Sequence, residues 1–145
     1  MSITDAVARA RETGEYQAVI DSIPYMRFLG LTVAGDENGP IVTMPGSEHI
    51  IGNPVLPAIH GGVVGAFMES AAIVHLIWAR ESRQVPKIVN LTIEYLRSAR
   101  VVDTYAQATI TKHGRRIANM RIEAWQADRA KPVAAAHAHF LLPGE

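Results

Sequence analysis

Between Gly61 and Ala79 almost every residue is apolar or small, and one alone carries a formal charge: Glu69, near the middle. A helix apolar on nearly every side belongs in a core, where a carboxylate is costly unless it is paired or protonated. At the head of the same segment stands His60-Gly61-Gly62. Such a turn offers backbone N–H groups beside a helix N-terminus, where developing negative charge is stabilised. A carboxylate base and an anion-stabilising turn in one short element point to acyl transfer, with hydrolysis as its simplest form.

Each of these residues also has a plainer reading. Glu69 would act as a general base or as a nucleophile, and either role needs a carboxylate that is ionised yet poorly solvated. Alternatively it sits in a structural pair with an arginine or faces a water-filled interface. Gly61 would supply a polarising N–H, while Gly62 serves mainly to permit a tight turn. His60 is expected to orient the turn by hydrogen bonding, as helix-start side chains often do. Ser70 is adjacent to Glu69 but points about 100° away on a helix. His137 and His139 share one face of a strand, yet no third ligand is evident, so no metal site is expected. His75 reads as a satisfied core or interface histidine.

The elements that must position these groups follow from the pattern. Residues 3–22 read as helix, with Thr4 and Asp5 as start signals and an interruption at Gly14; Pro24 ends that region. Phe28–Gly35 and Pro40–Pro45 are short β-rich runs around an Asp36–Gly39 turn. Gly46–Ile59 is a loop leading into the central helix, which stops near Arg80–Gln84, before Pro86. In Ile88–Leu96 the apolar Leu91, Ile93 and Tyr95 alternate with polar residues. Val101–Lys112, Arg116–Gln126 and Val133–Leu142 follow as strands. Hairpins throughout this half imply an antiparallel sheet, which the apolar helix needs wrapped around it. The fold class is α+β.

The chain has 145 residues and is 48% hydrophobic, enough for one domain, 1–145, with a real core. It contains no cysteine, which excludes disulfides, thiolate metal sites and a cysteine nucleophile. Fourteen basic side chains balance fourteen acidic ones, so neither nucleic acid nor an anionic membrane is implied as a partner. The mixed-charge N-terminus lacks an apolar leader pattern, which suggests a cytoplasmic protein. Gly61–Ala79 approaches spanning length, but Glu69 and His75 argue for a buried helix rather than a membrane span.

Three stretches resemble the hotdog-fold thioesterases, in particular the PaaI-type acyl-CoA thioesterase family. They are Ile23–Leu31, the run from His60-Gly61-Gly62 to the acid nine residues on, and Thr92–Arg100. Ser98 stands where a proline is common.

The resemblance implies a six-stranded antiparallel sheet around one long helix, with an N-terminal helix added here. It also implies a homodimer formed edge to edge, often doubled into a homotetramer, with Glu69 of one subunit facing the His60-Gly61 turn of its partner. The implied activity is hydrolysis of an acyl- or aryl-CoA thioester, with coenzyme A entering only as part of the substrate and no other cofactor. Relatives often place Asn or Gln six residues before the histidine; here that position is Pro54, and Asn53 is the candidate substrate-binding residue. Gly62, Arg97 and Arg100 join it, the arginines toward coenzyme A phosphates, where Lys112, Arg115 and Arg116 are further candidates. Pro57 and Ile73 also depart from the family pattern. Pro54 and Ile73 keep open a second function, a non-hydrolytic acyl-CoA binding module that has lost water positioning. A hydratase on the same fold would usually carry a closer Asp/His pair, which is not found.

Overall fold

The computed structural model describes residues 1–80 and 84–143. Ser2 caps the first helix, α1 (Ile3–Thr13), its hydroxyl oxygen accepting from the Asp5 N–H at 3.1 Å. The start signal is therefore Ser2 rather than Thr4 or Asp5, because the capping oxygen must precede the helix to reach its orphan donors. Gly14 ends α1 in the left-handed conformation, φ 78°, which glycine adopts without steric cost. Two short helices follow, α2 (Gln17–Asp21) and α3 (Pro24–Phe28). Pro24 begins a helix instead of closing one: at the first helical position its missing N–H removes no bond. In consequence the expected run from Phe28 is strand only from Thr32.

Strands β1 (Thr32–Asp36) and β2 (Gly39–Met44) form the expected hairpin. The stretch read as loop holds a short 3-10 turn (Glu48–Ile50) and a two-stranded ladder, β3 (Ile51–Asn53) with β4 (Ala58–Ile59). Then come α4 (Gly61–Ala79), β5 (Lys87–Tyr95), β6 (Thr104–His113), β7 (Ile117–Trp125) and β8 (Ala134–Leu141). The helix gives way at Arg80; the rest of the expected stop, residues 81–83, lies outside the described residues. The main sheet is six-stranded and antiparallel throughout, in the order β1-β2-β6-β7-β8-β5.

The sheet turns a buried face to α4 in which seven alanines (Ala106, Ala108, Ala118, Ala124, Ala134, Ala136 and Ala138) are interspersed with the larger Met120, Ile122 and Phe140. The helix brings Phe67, Met68, Leu76 and Ile77 against that face. Large and small together fill the space at crystal-like density, and each of those four side chains contributes roughly 1.5–3 kcal/mol by leaving water. Gly65 marks the closest approach, since a Cβ there would meet Ile93 Cδ1 at 2.8 Å. By length and composition α4 could cross a membrane, but 67% of that stretch is buried inside the protein.

The β1–β2 hairpin is clamped to the sheet by polar groups. Gln107 donates to Asp36 and to the Gly39 carbonyl, both at 3.1 Å, and accepts from Arg129, whose guanidinium lies 4.3 Å over the Trp125 ring. That cover buries Trp125, although the alternation of β7 turns it outward.

Candidate active site

The head of α4 is built from both sides of the chain. The β3–β4 ladder carries the strand into the turn, where His60 N–H donates to Ile50 O at 2.9 Å and Ile59 N–H to Ala99 O at 2.9 Å. His60 then caps the helix, its Nδ1 accepting from the Gly62 N–H at 2.9 Å. An accepting Nδ1 places the neutral ring's proton on Nε2. The His60 carbonyl takes the next two donors, Val63 N–H at 3.0 Å and Val64 N–H at 3.1 Å. Of the first donors of the helix, Gly61 N–H alone is left with no partner among the described residues. A helix N-terminus with one open N–H is suited to bind a developing oxyanion.

Gly62 has a steric reason, as expected: a Cβ there would lie 2.9 Å from the His60 ring. The Gly61 carbonyl accepts from the Tyr95 hydroxyl at 2.7 Å. Reading the sequence alone missed Tyr95, taken there only as an apolar strand residue. Its one available signal was an aromatic with a polar tip at the end of an edge strand. Gly61, Val64, Tyr95, Leu96 and Arg97 line a groove of about 370 Å³.

Glu69 opens elsewhere. With Ala66, Ser70 and Ile73 it forms the α4 side of a slot of about 340 Å³, closed opposite by Ile3, Ile23, Tyr25 and Met26. Its carboxylate is half-buried and has no salt bridge or hydrogen bond among the described residues, so no described arginine pairs with it. Burial in these apolar surroundings pushes its pKa above the ordinary carboxylate value. Both slot serines are committed to carbonyls, Ser70 to Ala66 O at 2.8 Å and Ser22 to Val19 O at 2.7 Å, and Tyr25 brings a third hydroxyl to the lining.

The remaining candidates are dispersed. Asn53 Oδ1 accepts from Val55 N–H at 3.0 Å and Leu56 N–H at 3.2 Å, holding its own turn. Arg97 lies at the Gly61 groove and donates to Pro132 O at 2.7 Å. Arg100 is exposed near the strand ends, its N–H donating to Gln126 Oε1 at 3.1 Å. His137 and His139 are exposed on β8, and no cluster of three metal-ligating side chains occurs among the described residues. His75 is buried, 5% exposed, but not satisfied: its Nδ1 has no partner among the described residues, and burial pulls its pKa down. A Cβ at Gly39 would press on its ring at 3.0 Å, so the hairpin packs directly against it.

A sequence profile described as the thioesterase superfamily matches residues 56–133. No curated protein matches the chain. Among solved structures, a Chromobacterium violaceum protein is 44% identical, with 97% of this chain and 98% of that one covered at a TM-score of 0.79. A phenylacetic acid degradation-related protein from Ralstonia eutropha shares 19% identity over 88% of this chain and 99% of that one, TM-score 0.75. A Bacillus halodurans protein crystallised with CoA shares 18% over 99% and 90%, TM-score 0.71. The last two likenesses are of fold. With the profile spanning more than half its length and its sheet wrapped around a single long helix, this chain belongs to the thioesterase superfamily and has the hotdog fold.

Proposed function

We propose that the protein hydrolyses an acyl-coenzyme A thioester to the free acid and coenzyme A. The observation that carries this reading is Glu69: a carboxylate without an ionic partner among the described residues, facing an apolar slot, with its basicity raised by burial. The open Gly61 N–H supports it as the donor to the thioester oxygen. In one route Glu69 takes a proton from water, and the hydroxide adds to the carbonyl carbon. The resulting oxyanion is held at Gly61, and collapse expels the thiolate, which recovers the proton from Glu69. In the other, a Glu69 oxygen adds directly, the thiolate leaves, and water cleaves the mixed anhydride. Neither route calls for a metal or a redox cofactor.

Within one chain these groups do not meet. Eight residues of helix separate them by roughly 12 Å along the axis and about 80° around it, and they open into different hollows. The reading therefore includes a homodimer, with Glu69 of one copy serving the Gly61 turn of the other. β5 is an edge strand whose Tyr95 is 55% exposed beside that turn, and pairing two such edges would continue the sheet. A further pairing into a homotetramer, a cytoplasmic setting and Arg97 and Arg100 as phosphate contacts belong to the same reading. The CoA held by the Bacillus halodurans neighbour supports it.

One observation favours the non-hydrolytic alternative. Asn53 Oδ1 is engaged in its own turn, and both slot serines donate to backbone carbonyls, so neither those serines nor the Asn53 oxygen is turned to hold water. Thiol release from a panel of acyl-CoAs separates the two. Hydrolysis predicts turnover by wild type and a fall of about 10²–10⁴ in Glu69→Gln. Binding without turnover selects the alternative.

A further inference from the structure

The slot at Glu69 contains its own statement of what fits. Ile3 comes from α1, Ile23 and Tyr25 from the start of α3, and Met26, 2% exposed, from within it; Ile73 faces them from α4. Apart from the carboxylate and the Tyr25 hydroxyl, these walls are apolar, and the two serines among them already donate to carbonyls. Most of the wall lies in residues 1–55, ahead of the segment that the superfamily profile matches, 56–133. The groups placed for chemistry thus lie in the matched segment, while the wall that faces α4 across the slot comes largely from ahead of it.

We propose that this slot takes an apolar acyl group of medium size, and that Ile23 and Tyr25 set its length limit. This rests on the acyl-CoA reading given above. The slot offers about 340 Å³, and a water-sized group occupies roughly 30 Å³ in a condensed phase. About eleven non-hydrogen atoms fill it, of which two or so are the reacting carbonyl. Octanoyl, decanoyl and phenylacetyl groups meet that size. Acetyl leaves the slot mostly empty, and palmitoyl exceeds it. Each methylene buried should tighten binding about fourfold until the slot is full, after which the gain stops.

The test is equilibrium binding of acetyl-, butyryl-, octanoyl-, decanoyl- and palmitoyl-CoA to the full-length Glu69→Gln protein, with phenylacetyl-CoA as the aryl arm. Affinity should climb to an optimum at octanoyl or decanoyl. Phenylacetyl-CoA binding above or below that optimum assigns the group as aryl or aliphatic. Ile23→Trp should move the optimum shorter and Tyr25→Ala longer; Tyr25 is 47% exposed, so that variant keeps the test open if the first does not fold. A flat dependence, a steady rise through palmitoyl, or an optimum that neither variant moves overturns the proposal, even if the wild type hydrolyses thioesters. A medium-length optimum in a protein that releases no thiol upholds the slot and removes only the hydrolytic reading.

Discussion

Replacing Gly61 with proline removes the backbone hydrogen and puts the ring Cδ in its place, which makes it a direct test of the open N–H. The position tolerates proline on three counts. It is the first residue of α4, where no intrahelical bond is lost. His60 before it, at φ −57° and ψ 130°, already has the extended backbone that a following proline demands. A Cβ at Gly61 would meet the Tyr95 ring at 3.4 Å, ordinary contact. Fixing a glycine in a conformation it already holds should leave stability unchanged or raise it by about 0.4–1 kcal/mol. Loss of an oxyanion donor typically costs about 10²–10³ in kcat, or roughly 2.7–4 kcal/mol of transition-state stabilisation. The assay is thiol release under saturating acyl-CoA, with Gly61→Ala as the control that adds the Cβ but keeps the N–H, and with thermal melts on both. A folded Gly61→Pro protein that turns over as fast as Gly61→Ala refutes the assignment.

Three further expectations follow from the same geometry. Because Glu69 must be ionised to act and its pKa is raised, kcat/KM should fall as pH drops through a value above the ordinary carboxylate range; a titration at or below that range would argue against the buried base. Tyr95→Phe removes the bond to the Gly61 carbonyl, worth about 0.5–1.5 kcal/mol, so kcat should drop by roughly two- to tenfold with KM little changed. His75 is held neutral by burial, so the unfolded chain binds a proton that the native chain resists, and stability should decline as pH falls below the ordinary histidine value. Its slope is at most about 1.4 kcal/mol per pH unit, and urea midpoints of wild type and His75→Leu should diverge across that window.

What could be read in the chain was what depends on neighbours in sequence. Glu69 was legible because a single charge interrupts an apolar helix, and the His60-Gly61-Gly62 turn because capping is a contact between adjacent residues. The strands of the second half showed in their period of two. What was hidden depends on tertiary placement. Pro24 looked like a stop because a proline's effect turns on whether its N–H is needed, which neighbours alone do not show. The β3–β4 ladder is too short, and too interrupted by Pro54 and Pro57, to leave a periodic trace. Tyr95 matters only because β5 returns beside a turn 34 residues upstream. His75 looked satisfied because core histidines usually are; the hairpin at Gly39 packs on its ring without offering an acceptor.

The alanines that line the sheet have no polar atom and touch no proposed reactant, yet they set a tolerance. Between Met120, Ile122 and Phe140 their methyl groups help to set how deeply α4 nests, and the close passage of Gly65 over Ile93 fixes the same spacing near the site. Gly61 hangs from the end of that helix and Tyr95 from the sheet beneath it, so their 2.7 Å bond measures the gap those contacts define. Larger side chains in the sheet would act as shims, tilting the helix and misaligning an N–H far from where they sit. In this fold the calibration of the chemistry is entrusted to its least reactive residues.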